Sequence, residues 1–164
     1  MPAPLPVPMR LNLPNDRWRA VDPEAYGVSN AALLAVRLDH NGDYTPTITV
    51  SGGLLSGGQT LETAADEAIK SFEAQASEVE LVKREARGDA ASPGMLQLLG
   101  GLVTVDGRRF DVRQAQSFLG MRNLQDADEL AVIKVALSAT YADIDDYLPE
   151  LQELIASLEP VPQQ

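Results

Sequence analysis

Apolar and polar positions alternate most regularly across residues 95–139, where three runs are separated by Asp106-Gly107 and by a short acidic turn. In the middle run Arg108, Phe110, Val112, Gln114, Gln116 and Phe118 fall on one side, and Arg109, Asp111, Arg113, Ala115, Ser117 and Leu119 on the other. That period of two describes a strand with one mostly apolar side and one charged side. Asp-Gly suits the two positive-φ positions of a type I′ turn. The pattern therefore predicts a β-meander of MLQLLGGLVTV, RRFDVRQAQSFLG and LAVIKVALSA, around which the chain is organised. Gly100-Gly101 weakens the first strand and marks a bulge or a close approach of another backbone.

Upstream, Met9, Leu11 and Leu13 alternate with Arg10 and Asn12 in a short strand that stops at Pro14-Asn15-Asp16. Trp18 reads as a core plug, and residues 22–30 as an irregular loop with a helical turn. Residues 32–39 and 44–51 predict two strands joined by a hairpin loop at 40–43, and residues 52–59 a glycine-rich connection. Thr60 fits an N-cap. Leu61, Ala64, Ala65, Ala68, Ile69, Phe72 and Ala76 form a stripe at helical spacing that runs to Ser77. Residues 79–87 return to alternation with one wet face. Near the end, Asp143, Asp145 or Asp146 caps a helix whose buried stripe is Tyr147, Leu148, Leu151, Leu154, Ile155 and Leu158, with Pro149 placed in its first turn. The fold class expected is α+β, a twisted and mostly antiparallel sheet of about six or seven strands covered by two main helices. One domain over residues 9–159 follows a proline-rich lead, 1–8, and precedes a tail, 160–164.

At 164 residues, with 45% hydrophobic and 23% charged residues, the chain is long and apolar enough to bury a core. Its charge alters the choice of partners. The 24 acidic residues against 13 basic ones give a net charge of −11, which phosphate backbones and anionic lipid repel, so neither nucleic acid nor a membrane surface is expected as a partner. The absence of cysteine removes disulfides, thiolate chemistry and a lipidated cysteine from the chain as given. No stretch approaches the roughly 20 apolar residues of a membrane-spanning helix, and the opening lacks the features of a signal peptide. The expectation is a soluble protein, cytoplasmic unless a leader was trimmed.

Candidate chemistry is sparse. Residues 53–60, GLLSGGQT, have the spacing of a phosphate-binding loop, but Gln59 stands where a lysine would meet the phosphates, so a loop ending in a helix cap is the better reading. Asp39, Asn41 and Asp43 start a calcium-loop spacing that fails at Tyr44 and Val50. His40 is the single histidine and lacks a nucleophile elbow to serve. The acidic clusters at 126–129 and 143–146 could supply a carboxylate pair, although carboxylates in turns are usually solvated. Neither a catalytic set, a metal site nor a cofactor is expected. Arg108, Arg109 and Arg113 could meet an acidic partner, a salt bridge to Asp111 being the duller role.

The opening strand with LPNDRW, the segments YTPTITVSGGLL, TLETAADEAIKSF and VTVDGRRFDV, and the closing YLPELQELIASLEP together resemble the PsbP-like fold, nearest the actinobacterial LpqN-type lipoprotein domain and the DcrB-type domain of unknown function. The resemblance implies helices packed on a twisted antiparallel sheet and a binding or assembly role, as in photosystem subunits, a Ran-binding factor and toxin chaperones. It implies no enzymatic activity and carries over no catalytic residue. This chain departs from the LpqN pattern in lacking a signal peptide and a lipidation cysteine. The expected function is a non-enzymatic protein- or peptide-binding module, an adaptor or secretion-linked chaperone, taking a protein or apolar peptide partner. Its surface is expected at Met95, Gly100, Gly101, Arg108, Arg113, Phe118 and Met121, with homodimerisation through a strand edge possible. The alternative is a small-ligand carrier or an enzyme using acidic residues beside a helix–sheet pocket.

Overall fold

The structure, a computed structural model, describes residues 9, 10, 12–26, 28, 31–38, 44–57, 59–89, 92–122 and 129–160. Along them run β1 (Met9–Arg10), β2 (Trp18–Val21), a 3-10 turn (Glu24–Tyr26), β3 (Leu33–Arg37), β4 (Thr47–Leu55), α1 (Leu61–Glu73), β5 (Ser77–Gly88), β6 (Pro93–Val105), β7 (Arg108–Arg122), β8 (Leu130–Thr140), α2 (Ile144–Ala156) and β9 (Glu159–Pro160). Seven of the strands form one antiparallel sheet in the order β2-β3-β4-β8-β7-β6-β5, and β1 pairs with β9. The α+β class read from the sequence is the observed one. β4 lies beside β8 rather than β5, so α1 is the crossover that carries the chain from mid-sheet to its far edge. β5 to β8 then return by hairpins.

The meander forms as its alternation predicts. Asp106 (φ 50°) and Gly107 (φ 79°) supply the two left-handed positions of the turn that sets Val105 opposite Arg108. Gly101 permits a close approach, since a Cβ there would stand 2.9 Å from Phe72 Cε2 and 3.3 Å from the Ser77 carbonyl oxygen. The irregularity expected at this glycine pair sits across from it, in β5 between Ser77 and Glu80, where Glu78 has φ 51°.

Four sequence expectations change. The second side of β7 is charged only at Arg109, Asp111 and Arg113; Ala115 and Ser117 on the same side are buried, because α2 covers that face. Trp18 is the plug expected, 3% exposed, but it also begins β2. Pro149 is the sixth residue of α2 rather than part of its first turn; it is exposed and removes a single intrahelical donor. β4 runs through Gly52-Gly53 to Leu55, where a connection was expected. The hairpin loop residues Asp39, His40, Asn41 and Asp43, and the acidic turn at 123–128, lie outside the described residues.

The sheet buries both faces. Toward α2 lie Ala35, Ile48, Val50, Ala115, Ile133, Val135, Leu137 and Ala139, packed on Ile144, Tyr147, Leu151 and Leu154. Toward α1 lie Met95, Phe118, Leu130 and Val132 against Leu61, Ala65 and Ala68, and further along Leu99 and Val112 against Phe72. Each large side chain so buried stabilises the fold by ~1.5–3 kcal/mol before entropy is counted.

Candidate functional site

The α2 face is closed, polar groups included. Arg37, 6% exposed, lies with its guanidinium carbon 5.5 Å from the Trp18 ring centre and 5.1 Å from that of Tyr147. It donates to Glu150 on α2, which also accepts from Trp18 Nε1 at 2.6 Å and Asn15 Nδ2 at 3.2 Å. Burial alone would raise the Glu150 pKa, but these three hydrogen bonds and the Arg37 charge together outweigh it and hold the carboxyl below its ordinary value. Asn12 and Ser157 tie the two ends of the chain together by hydrogen bonds of 3.0 and 3.1 Å.

The α1 face is built differently. Thr60 caps the helix by accepting from the Thr63 N–H, as the sequence predicts. A polar chain then fixes the helix over β5 and β6. Asp66 accepts from Arg84 Nη2 at 2.9 Å, Arg84 Nε donates to Gln97 Oε1 at 3.0 Å, and Gln97 Nε2 donates to the Ala65 carbonyl at 3.0 Å and to Gln116 Oε1 at 2.6 Å. Gln116 continues it to Gln114, whose Nε2 donates to Ser138 at 2.8 Å. Tyr44 abuts this end, its pKa raised by burial and partly offset by its hydrogen bond with Ser138.

Helix α1, held toward that side, packs on Leu130 and Val132 of β8 but leaves an opening between itself and the end of β4. The result is a groove of about 320 Å³, walled by Thr63, Ala64, Glu67, Ala68 and Ser71 and floored by Phe118, Val132, Lys134 and the end of β4. Cross-strand register places Ser51 and Phe118 on either side of Lys134, and Gly53 beside Val132. Among the described residues nothing pairs with Lys134, the one basic side chain lining the groove, and burial pushes its pKa below the ordinary lysine value. Glu67 is the one acidic side chain of the lining; it is largely exposed and lies 3.6 Å from Lys70. The two convergent carboxylates that an acid–base reading requires are not in this groove.

Along the outer wall of the groove no described strand pairs with the end of β4. β8 pairs with β4 over all nine residues from Thr47 to Leu55, whereas β3 pairs only with Thr47 to Val50. The Val50 carbonyl accepts from the Ala32 N–H at 2.7 Å and that of Pro46 from the Arg37 N–H at 3.0 Å, so even-numbered residues of β4 direct their backbone groups toward β3. By the pleat alternation, Gly52 and Leu54 point theirs outward, while Ser51, Gly53 and Leu55 bond to β8. Among the described residues no strand covers Gly52 or Leu54, and the Leu54 side chain is 56% exposed.

Most of the residues expected from sequence to meet a partner stand elsewhere. Met95 is in the core under α1, Gly100 lies beneath the Arg113 side chain, and Gly101 lies beneath Phe72. Arg113 donates to Asp111 at 2.6 Å and stacks on Tyr141 at 4.7 Å; Arg108 lies over Phe110 at 5.5 Å. Met121 packs against the α2-side core. Phe118, 2% exposed, is the member of the set that reaches the groove, as part of its floor. Sequence reasoning missed Lys134 and the end of β4. A lone lysine inside the apolar run LAVIKVALSA was the available signal.

No family profile and no curated protein matches this chain by sequence. Solved structures do. LpqN of Mycobacterium tuberculosis, described as involved in cell envelope biogenesis, is 16% identical with a TM-score of 0.62, over 96% of this chain and 86% of that one. Cyanobacterial PsbP from Synechocystis is 13% identical with a TM-score of 0.58, over 94% of each chain. A protein of unknown function from Pseudomonas aeruginosa is 18% identical with a TM-score of 0.55, over 79% and 83%. The chain has the PsbP-like fold, shared with LpqN, as the resemblance of its segments suggests. Among the described residues no helix is long and apolar enough to cross a membrane.

Proposed function

We propose that this protein is a non-catalytic peptide-binding module that accepts an extended, mostly apolar segment as an added strand along residues 51–55, in the manner of an adaptor or chaperone. One observation carries the reading. β4 extends five residues beyond its partner β3 and turns the backbone groups of Gly52 and Leu54 outward beside a groove floored by Phe118 and Val132. An added strand would recover the donors and acceptors of those two residues, each bond contributing ~0.5–1.5 kcal/mol net. Side chains on one side of that strand would enter the groove.

The test uses a displayed library of random heptapeptides selected on the native protein and on Gly52→Pro. Proline at 52 removes a donor that faces outward and leaves the ladder to β8 intact, so the fold is kept. Selected peptides are expected to lose binding roughly tenfold or more on Gly52→Pro, the loss of a hydrogen bond together with a steric block. Peptides that bind both proteins equally would place recognition elsewhere. Concentration-dependent dimers in sedimentation, abolished by Gly52→Pro, would assign the edge to a second copy of the chain.

A further inference from the structure

We infer that the strand added along β4 carries an acidic side chain, on its α1 side, whose carboxylate settles against Lys134. The inference rests on the edge reading above and names the partner's chemistry.

Three observations lead to it. Lys134 is half-buried on a central strand without a described partner, whereas the deeply placed Arg37 and Arg113 each have a carboxylate in contact. On β4 the residues beside Lys134 and Val132 are the small Ser51 and Gly53, and a Cβ on Gly53 would meet nothing within 4 Å. Neighbouring strands lie ~4.8 Å apart, so an added strand would stand about 10 Å from β8. A lysine and a glutamate side chain together span that distance over the small residues between them.

The charges around the groove favour a single acid in an otherwise apolar peptide. The net charge of −11 repels acid-rich segments at a distance, and Glu67 at the rim adds to this. That field is screened over about 8 Å at physiological salt, whereas contact with a half-buried ammonium is screened much less. One carboxylate gains the contact without carrying the repulsion of many. The desolvated state of Lys134, which lowers its pKa, is relieved by such a partner.

The experiment compares heptapeptides selected on the native protein and on Lys134→Met, with affinities measured for each peptide and its Glu→Gln or Asp→Asn counterpart. Native selection is expected to enrich one acidic position, and the neutral counterpart to bind roughly tenfold or more weakly, the scale of a charge-assisted hydrogen bond. On Lys134→Met the acidic and neutral forms are expected to bind alike, with a melting temperature no lower than that of the native protein. Peptides selected without acidic enrichment, or an acidic preference that survives Lys134→Met, would overturn the inference and leave the edge reading standing. Binding that is sensitive to Lys134→Met but indifferent to Gly52→Pro would remove the edge reading and with it the inference as stated, leaving a contact at Lys134 made by some other route. Selection of no peptide at all would overturn both.

Discussion

The two faces of the sheet each hold a cation among apolar side chains, and they treat it in opposite ways. Under α2, Arg37 is flanked by Trp18 and Tyr147 and donates to Glu150, which also accepts from Trp18 and Asn15. Under α1, Lys134 lies between Ser51 and Phe118 at the bottom of an open groove, and nothing described pairs with it. A buried charge is costly unless it is paired and hydrogen-bonded. On the first face the cost is met within the chain, so the cluster fastens β2, β3 and α2 together. On the second no described side chain meets it, and it lies beside a strand end where no described strand covers the outward backbone groups of Gly52 and Leu54. The proposed binding site is drawn from these two features lying side by side.

The sheet edges repeat the contrast. β5 is exposed along most of its length, but Lys83, Arg84, Glu85 and Arg87 and two register irregularities keep another strand from pairing with it. The last five residues of β4 carry neither charge nor bulge.

The largest expected effect lies on the closed face. Glu150→Gln removes the carboxylate charge that Arg37 contacts on α2 and is expected to destabilise the protein by about 3 kcal/mol in chemical denaturation. Its pH signature follows from sign. A carboxyl held below its ordinary 4.5 contributes stability that is present above that value and lost as pH falls through the lower folded one. The native protein and Glu150→Gln should therefore converge in stability under acid. Within β4, Gly53→Pro is expected to cost about 2 kcal/mol, because the N–H at 53 serves β8, while Gly52→Pro stays within about 0.5 kcal/mol. Equal losses at the two positions would break the alternation from which the open edge is argued.

Lys134→Met is expected to move stability the other way, by about +1 kcal/mol, since it removes an unpaired charge from an apolar floor and keeps the volume. A lysine whose pKa is lowered from 10.5 in the folded state is bound to a proton more fully in the unfolded chain, so native stability rises with pH up to that value. The advantage of Lys134→Met should shrink over the same window. A destabilised Lys134→Met would show Lys134 to be a structural residue like Arg37.

Much of this was legible in the sequence where local pattern and tertiary structure agree. Asp106-Gly107 specified its turn, the stripe from Leu61 to Phe72 specified α1, and alternation specified the meander. The site was not legible for a physical reason. Gly52-Gly53 has no intrinsic strand preference and reads as a loop; it is strand because Val132 and Ile133, some eighty positions later, pair with it. Lys134 stood in plain sight within LAVIKVALSA, but its isolation depends on where α1 comes to rest, which Arg84 and Gln97 decide from other strands. Met95, Gly100 and Gly101 have the residue types of an adaptable surface, and what covers them is equally a matter of tertiary placement.

Amide hydrogen exchange along β4, residue by residue and with and without a selected peptide, reads the open edge directly. The account predicts fast exchange at Gly52 and Leu54 and slow exchange at Ser51, Gly53 and Leu55 in the free protein, with Gly52 and Leu54 becoming protected when peptide is bound. Uniform protection across residues 51–55 in the free protein, or exchange at Gly52 and Leu54 that peptide leaves unchanged, would contradict it.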